Sequence, residues 1–178
     1  MNNITIRQET PSDYPAVFEL IKSAFENLEH SDKQEQFLVE RLRKSKIFIP
    51  ELSLVAEVNG EVVGYILLTE ISILDNGQLS GNSLALAPVA VLDGYQGMGI
   101  GGKLILEAQK RAKDLGYESV ILLGHEGYYP KFGYQKAELF DIYPPFEVPS
   151  ENFMAIELSE NTLKNIKGIV QYPVEFGI

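Results

Sequence analysis

LALAPVAVLDGYQGMGIGGKLILEAQKRAKDL, residues 84–115, is the stretch whose reading decides the fold. Residues 84–92 form an apolar run, and Asp93, Gly94 and Tyr95 turn the chain. Glycines follow at 97, 99, 101 and 102, and then a helical pattern. The order is strand, turn, glycine loop, helix. Ile100, Leu104, Ala108, Ala112 and Leu115 recur every three or four positions, which predicts one stripe toward a core, with Glu107, Lys110, Arg111 and Lys113 toward water. Gly116 is placed to end the helix as a C-terminal cap.

The first turn of a helix carries backbone N–H groups without intrahelical partners, and the macrodipole adds partial positive charge there. A glycine-rich approach lets an anion reach those donors without meeting a Cβ, so the loop is suited to a phosphate-bearing ligand. The plainer alternative is a tight turn that brings helix and strand together. Three phosphate patterns overlap. Gly97, Gly99 and Gly102 match the dinucleotide fingerprint GxGxxG, but four residues separate strand from glycine, and the acidic Glu118 opens the next strand instead of ending it. Gly97 through Lys103 nearly match GxxxxGK[ST], yet Leu104 stands where a hydroxyl must hold magnesium. The third pattern is Gln96-Gly97-Met98-Gly99-Ile100-Gly101, or Q-x-x-G-x-G, after a strand with an embedded proline, Pro88.

At 178 residues, 45% hydrophobic and 22% charged, the chain fits one ordinary globular domain over 1–178. It shows no basic, apolar leader and no apolar run that would span a bilayer. Without cysteine it has no disulfide, thiolate metal site or cysteine nucleophile, and a cytoplasmic location is expected. A net charge of −10 argues against nucleic acid and suits a cationic substrate such as an amine. No metal is expected, because His30 and His125 lie far apart in sequence and no cluster has ligand spacing.

Ile4 and Ile6 mark a first strand. Thr10-Pro11-Ser12-Asp13 then combines a capping threonine, an early proline and a third-position acid. The following helix places Val17, Leu20, Ile21, Ala24 and Phe25 on one face. A second, from about Asp32 to Lys44, turns Phe37, Leu38 and Leu42 inward, and the acidic connection 26–31 reads either as a cleft lip or as a solvated connector. Residues 52–58 are a strand, Asn59-Gly60 is a strong hairpin signal, and Val62 to about Ile73 returns. Asp75-Asn76-Gly77 turns the chain into 79–92. After the long helix, 119–123 read as a buried strand that completes a βαβ crossover. Residues 153–158, 162–167 and 169–176 read as strand, short helix and strand.

The Q-x-x-G-x-G loop, the Ala87-Pro88-Val89-Ala90-Val91 strand before it, Lys103-Leu104 after it, and this order of elements resemble the GNAT superfamily of N-acetyltransferases. The Gly-His segment before Tyr-Tyr-Pro-Lys-Phe-Gly-Tyr and the closing Tyr172-Pro173 look closest to a bacterial branch of predicted N-acetyltransferases. The resemblance implies an α/β (α+β) fold with a mixed central sheet, splayed between the fourth and fifth strands and flanked by helices. It implies acetyl-CoA as co-substrate, lying where those strands part. The main chain of Val89, Ala90 and Val91 would bond the pantetheine arm and thioester, and Gln96, Gly97, Met98, Gly99, Ile100, Gly101 and Gly102 would hold the pyrophosphate. Tyr129, four residues before Gly133, occupies the family's general-acid position, with Tyr128 as fallback. A free thiol titrates near about 8.5, so a nearby phenol can help the sulfur leave. An alkylamine near about 10.4 is protonated at neutral pH and needs an acceptor. Glu70, Glu126 and His125 are candidates, with water as the alternative.

The expected reaction is direct attack of a primary amine, on a small molecule or protein, within a ternary complex. Two other classes stay open: an acyl-CoA-binding module or sensor of the same fold, and an ATP- or NAD-binding enzyme. Residues 26–31, 140–149 and the C-terminal strand are the segments expected to select the acceptor. Pro144, Pro145 and Pro149 stiffen the middle one. A homodimer through the last strands is favoured over a monomer.

Overall fold

Two turns set the sheet. In the computed structural model, which describes residues 3–178, Asn59 and Gly60 take φ of 51° and 84°, and Asn76 and Gly77 take 50° and 80°. Paired left-handed residues are what a type I′ turn needs, and that turn matches the twist of antiparallel strands. The meander expected from the sequence follows as β2 (Ser53–Val58), β3 (Glu61–Asp75) and β4 (Gln78–Val91). The other strands are β1 (Ile4–Gln8), β5 (Ser119–Leu123), β6 (Gln135–Lys136), β7 (Ile142–Tyr143), β8 (Phe153–Glu157) and β9 (Gly168–Gln171). The helices are α1 (Tyr14–Phe25), α2 (Glu35–Arg43) and α3 (Ile100–Asp114). No helix among the described residues is long and apolar enough to cross a membrane. The chain divides into two units, Met1–Leu68 with Ala87–Arg111, and Thr69–Leu86 with Ala112–Ile178, and β3, β4 and α3 run through both.

In the first unit β1 pairs with β2 and β2 with β3, both antiparallel, with a bulge at Ala56/Glu57. β3 is buried continuously from Val63 to Leu68 because helices cover both faces. On the face of Gly64, α3 comes so close that a Cβ there would stand 3.0 Å from both Ile100 Cγ2 and Leu104 Cδ1. A lone glycine inside a strand pattern signals this kind of approach. On the face of Tyr65, a polar network is sealed in. Arg43 of α2 pairs with Glu9, both side chains being almost fully buried. The Ser53 hydroxyl donates to Glu9 (2.6 Å) and meets the Tyr65 hydroxyl at 2.8 Å. Arg43 also lies 3.9 Å over the Tyr14 ring. Burial, reinforced by the charge on Glu9, pushes the Tyr65 phenol up.

The expected cap of α1 is present: the Thr10 N–H donates to Asp13 (2.8 Å), and Pro11–Asp13 make a 3-10 turn leading into the helix. Arg7 grips the same carboxylate with two bonds, 2.8 and 2.9 Å. Those bonds, with Thr10's, bring Asp13 from 3.8 to about 2, against the desolvation that opposes it.

In the second unit β4 pairs with β5 in parallel, which is the predicted crossover. The ladder holds only Leu84 with Val120 and Ala85 with Ile121, and Leu122 and Leu123 pair with β8 alone. Pairing of the fourth and fifth strands thus stops where the sequence reading has them part. β8 carries β6 on its far side, and β9 joins β3 and β7. A core of Ile71, Ile73, Ala85, Ile121, Phe153 and Val170, among others, lies beneath. The Gly116 cap is realised as a Schellman turn, with Gly116 at φ 92° and Tyr117 N–H on Ala112 C=O (3.0 Å).

Several elements differ from the sequence reading. Leu115 lies just past the end of α3 and is exposed, and Ile105 takes a core place instead. In α2, Val39 and Leu42 are buried while Phe37 turns outward to meet Phe18 edge-on at 5.4 Å. Residues 162–167 form turns, not a helix, tied by the Thr162 hydroxyl to Glu118 C=O (2.8 Å) and by Leu163 N–H to Glu157 (2.9 Å). The last strand ends at Gln171, because Pro173 has no N–H with which to continue a ladder, and Val174–Phe176 form a 3-10 turn. The Ala87–Pro88 peptide is cis.

Two outcomes are expected. Arg43→Met leaves the Glu9 carboxylate buried without its counter-charge and lowers unfolding free energy by about 3–5 kcal/mol in denaturant titration, while adding Glu9→Gln recovers more than half. Asp13 titrates lower in the fold than in the unfolded chain, so its contribution is complete above about pH 4 and fades as pH falls toward about 2. Asp13→Asn should remove that part of the acid dependence of stability.

Candidate functional site

The glycine loop belongs to the first unit and is held from behind. Leu92 N–H donates to Val63 C=O (2.9 Å), fixing the end of β4, and Tyr95 N–H closes the turn on Leu92 C=O (3.0 Å). The Tyr95 hydroxyl donates to Glu61 (2.8 Å). Gln96, a residue expected at the ligand, donates its amide to Val91 C=O (3.2 Å) and to Asp93 (3.1 Å), bracing the loop from within. Gly97 and Gly99 both stand at φ +79°, and a Cβ on either would meet nothing within 4 Å. Glycine is therefore required by backbone conformation, and the loop face is open.

Lys103 N–H bonds Gly99 C=O (3.0 Å), the first rung of α3. The N–H groups of Ile100, Gly101 and Gly102 precede that rung and have no intrahelical acceptor, so they carry the helix's positive end. Met98 is exposed on the loop. Val89 and Val91 share the half-buried face of β4, and Ala90 is buried on the opposite one. Open left-handed glycines leading into unbonded helical N–H groups fit a diphosphate.

The tyrosine segment belongs to the second unit. Tyr129 opens a 3-10 turn, Tyr129–Phe132, that Gly133 ends at φ 100°. Its ring meets Tyr128 edge-on at 5.1 Å and Tyr134 at 6.0 Å. Burial first, and the neighbouring Tyr128 second, push its phenol up to about 12. Tyr128, the fallback, sits under Lys131 Nζ at 4.1 Å and packs on Phe132.

The base candidates have separate surroundings. His125 is exposed, and its Nδ1 accepts the Gly127 N–H (2.9 Å). Glu126 is exposed and accepts from the Asn152 side-chain amide (2.9 Å). Hydrogen bonds from its own backbone N–H and from Asn152 hold its carboxyl below the usual range. Glu70, on β3, accepts from the Tyr117 hydroxyl (3.1 Å) and not from the tyrosine segment. His125 and Glu126 thus stand in the turn, closed by Tyr128 N–H on His125 C=O (3.1 Å), that leads directly into Tyr129's 3-10 turn, and Glu70 is tied to the end of α3. Asn152 escaped the sequence reading, since an asparagine in a polar turn carries no sign of what it bonds 28 residues away.

Residues 14–134 match the Acetyltransferase (GNAT) family. The uncharacterized N-acetyltransferase YjhQ of Escherichia coli K12 is 36% identical over 121 residues, 67% of this chain and 66% of its own length. The uncharacterized N-acetyltransferase YhbS of the same strain is 29% identical over 175 residues, 96% of this chain and 97% of its own. The crystal structure of E. coli YhbS in complex with CoA superposes with a TM-score of 0.89 at 27% identity, covering 100% of this chain and 94% of that one. A GNAT family acetyltransferase from Brucella melitensis, in complex with acetyl-CoA, gives 0.80 at 31% identity over 99% of both chains. With its matched length, its mixed sheet and its glycine loop before α3, the chain belongs to the acetyltransferase (GNAT) family.

Proposed function

We propose that the chain is an acetyl-CoA-dependent N-acetyltransferase that acetylates a primary amine, on a small molecule or a protein, with both reactants bound at once. The observation that carries this reading is the open glycine loop at the start of α3 in a chain of this family. The relatives solved with CoA and acetyl-CoA support the choice of donor. We take residues 1–178 as one catalytic domain, because β3, β4 and α3 each pass unbroken through both units.

Acetyl-CoA supplies an acetyl thioester, whose C–S bond is exchanged for a C–N bond to the amine. The backbone N–H groups from Gly97 to Gly102 hold the diphosphate, where helix polarity and hydrogen bonding act together. The main chain of Val89, Ala90 and Val91 aligns the pantetheine arm. Fixing the reacting atoms in one geometry contributes as much to the rate as any side chain. Tyr129 carries its proton at neutral pH, as a free phenol of pKa about 10 already does, and burial makes it a weaker acid still. It donates that proton toward the departing sulfur, whose thiolate accepts it as the C–S bond breaks. The amine's own proton passes to water or to His125, Glu126 or Glu70. Hydrogen bonding makes Glu126 a weaker base than a free carboxylate.

Thiol release from acetyl-CoA in the presence of a panel of primary amines tests the reading. Sustained turnover is expected, whereas tight CoA binding with no turnover on any amine would make the chain a binding module. Gly99→Val forces a branched residue into a left-handed position and should weaken CoA binding about tenfold or more in calorimetry. Tyr129→Phe should lower kcat about a hundredfold or more with little change in KM for acetyl-CoA. An undiminished kcat would remove Tyr129 from the reaction.

A further inference from the structure

The Tyr129 ring rests on a backbone floor. A Cβ built on Gly124 would lie 2.9 Å from Tyr129 Cδ2 and closer still to Cε2, so the ring occupies the space a side chain at 124 would need. Gly124 shows no left-handed φ, so close approach and not backbone conformation accounts for glycine here. The floor is pinned by one residue. Gly124 N–H donates to Asn152 C=O (2.8 Å), and the Asn152 side-chain amide donates back to Gly124 C=O (3.0 Å) and across to Glu126 (2.9 Å). Asn152 directly precedes β8, whose first residue, Phe153, is registered with Leu123. Its bonds therefore carry the β5–β8 ladder one residue further and fix the turn from which Tyr129 projects. The ring also meets those of Tyr128 (5.1 Å) and Tyr134 (6.0 Å) at interplanar angles of 85° and 80°.

We propose that Asn152 and Gly124 are positioning residues for Tyr129: Asn152 fixes the height and tilt of the Gly124 peptide, and the bare Cα of Gly124 sets how deep the phenol sits. This rests on the reading of Tyr129 as the proton donor. Loss of either residue moves the hydroxyl without removing it. The cost then falls on the chemical step and not on donor binding, since a small misplacement of a reacting group lowers rate steeply.

A double-mutant cycle with a second, structural readout tests the proposal. Asn152→Ala should lower kcat about tenfold with KM for acetyl-CoA unchanged, and in a Tyr129→Phe background it should cost almost nothing further. Gly124→Ala should behave alike, and if it does not fold the Asn152 cycle decides. Fluorine NMR on protein carrying fluorotyrosine should show the Tyr129 resonance shifted or broadened in Asn152→Ala, with the other tyrosine signals in place. Full kcat and an unmoved resonance in Asn152→Ala would overturn the positioning role while leaving Tyr129 as donor if Tyr129→Phe is slow. An equal loss in both backgrounds would also overturn it, by showing that Asn152 acts independently of the ring. If Tyr129→Phe keeps full kcat, the donor reading fails by itself, and the resonance alone decides whether Asn152 and Gly124 fix the ring.

Discussion

A helix that begins among glycines presents peptide N–H groups with no acceptor of their own, and the function proposed for this protein depends on that deficit. The donors must point outward, stay uncovered and remain still. Left-handed Gly97 and Gly99 turn the loop without placing a Cβ over it. Gly64 lets α3 settle directly onto β3. Gln96 and Tyr95 lock the loop to Val91, Asp93 and Glu61, so its shape is set before any ligand arrives. Preorganisation of this kind reduces the ordering cost of binding.

The second unit solves a related problem by packing. The phenol proposed as proton donor is protonated at neutral pH without help, so what the fold must supply is a fixed position. Rings set at steep angles and a glycine floor supply it, and the floor is itself hydrogen-bonded to Asn152. The sealed network of Glu9, Arg43, Ser53 and Tyr65 in the first unit is a different device. Desolvation makes such a pair a poor source of net stability, but leaving either charge alone is costly, so α2 has one favourable seat on β3.

What could be read from the sequence was local. Two Asn-Gly turns, the Thr10 to Asp13 cap, the Gly116 terminus, the crossover into residues 119–123 and the glycine loop each rest on a few neighbouring residues. The family resemblance added the mixed central sheet and the break between the fourth and fifth strands. What could not be read was mostly non-local. Arg43 meets Glu9 across 34 residues, and no periodicity marks either as buried. The face of α2 was misread at Phe37 because Gln36, a polar residue, takes an inward place by bonding Lys33 C=O (3.1 Å). The 162–167 stretch has helical composition but is too short to nucleate a helix against two side-chain bonds that hold it as turns. Glycine types were legible at Gly97 and Gly99, where a turn demands them. At Gly124 the reason is a ring five residues on, visible only in three dimensions.

The most direct measurement is the backbone amide spectrum of isotope-labelled protein during titration with coenzyme A. If the diphosphate sits on the start of α3, the largest and saturable shifts fall on the amides of residues 97–102, and pantetheine, which lacks the diphosphate, leaves those amides almost unmoved. Shifts concentrated elsewhere, with residues 97–102 unmoved by coenzyme A at saturation, would contradict the account.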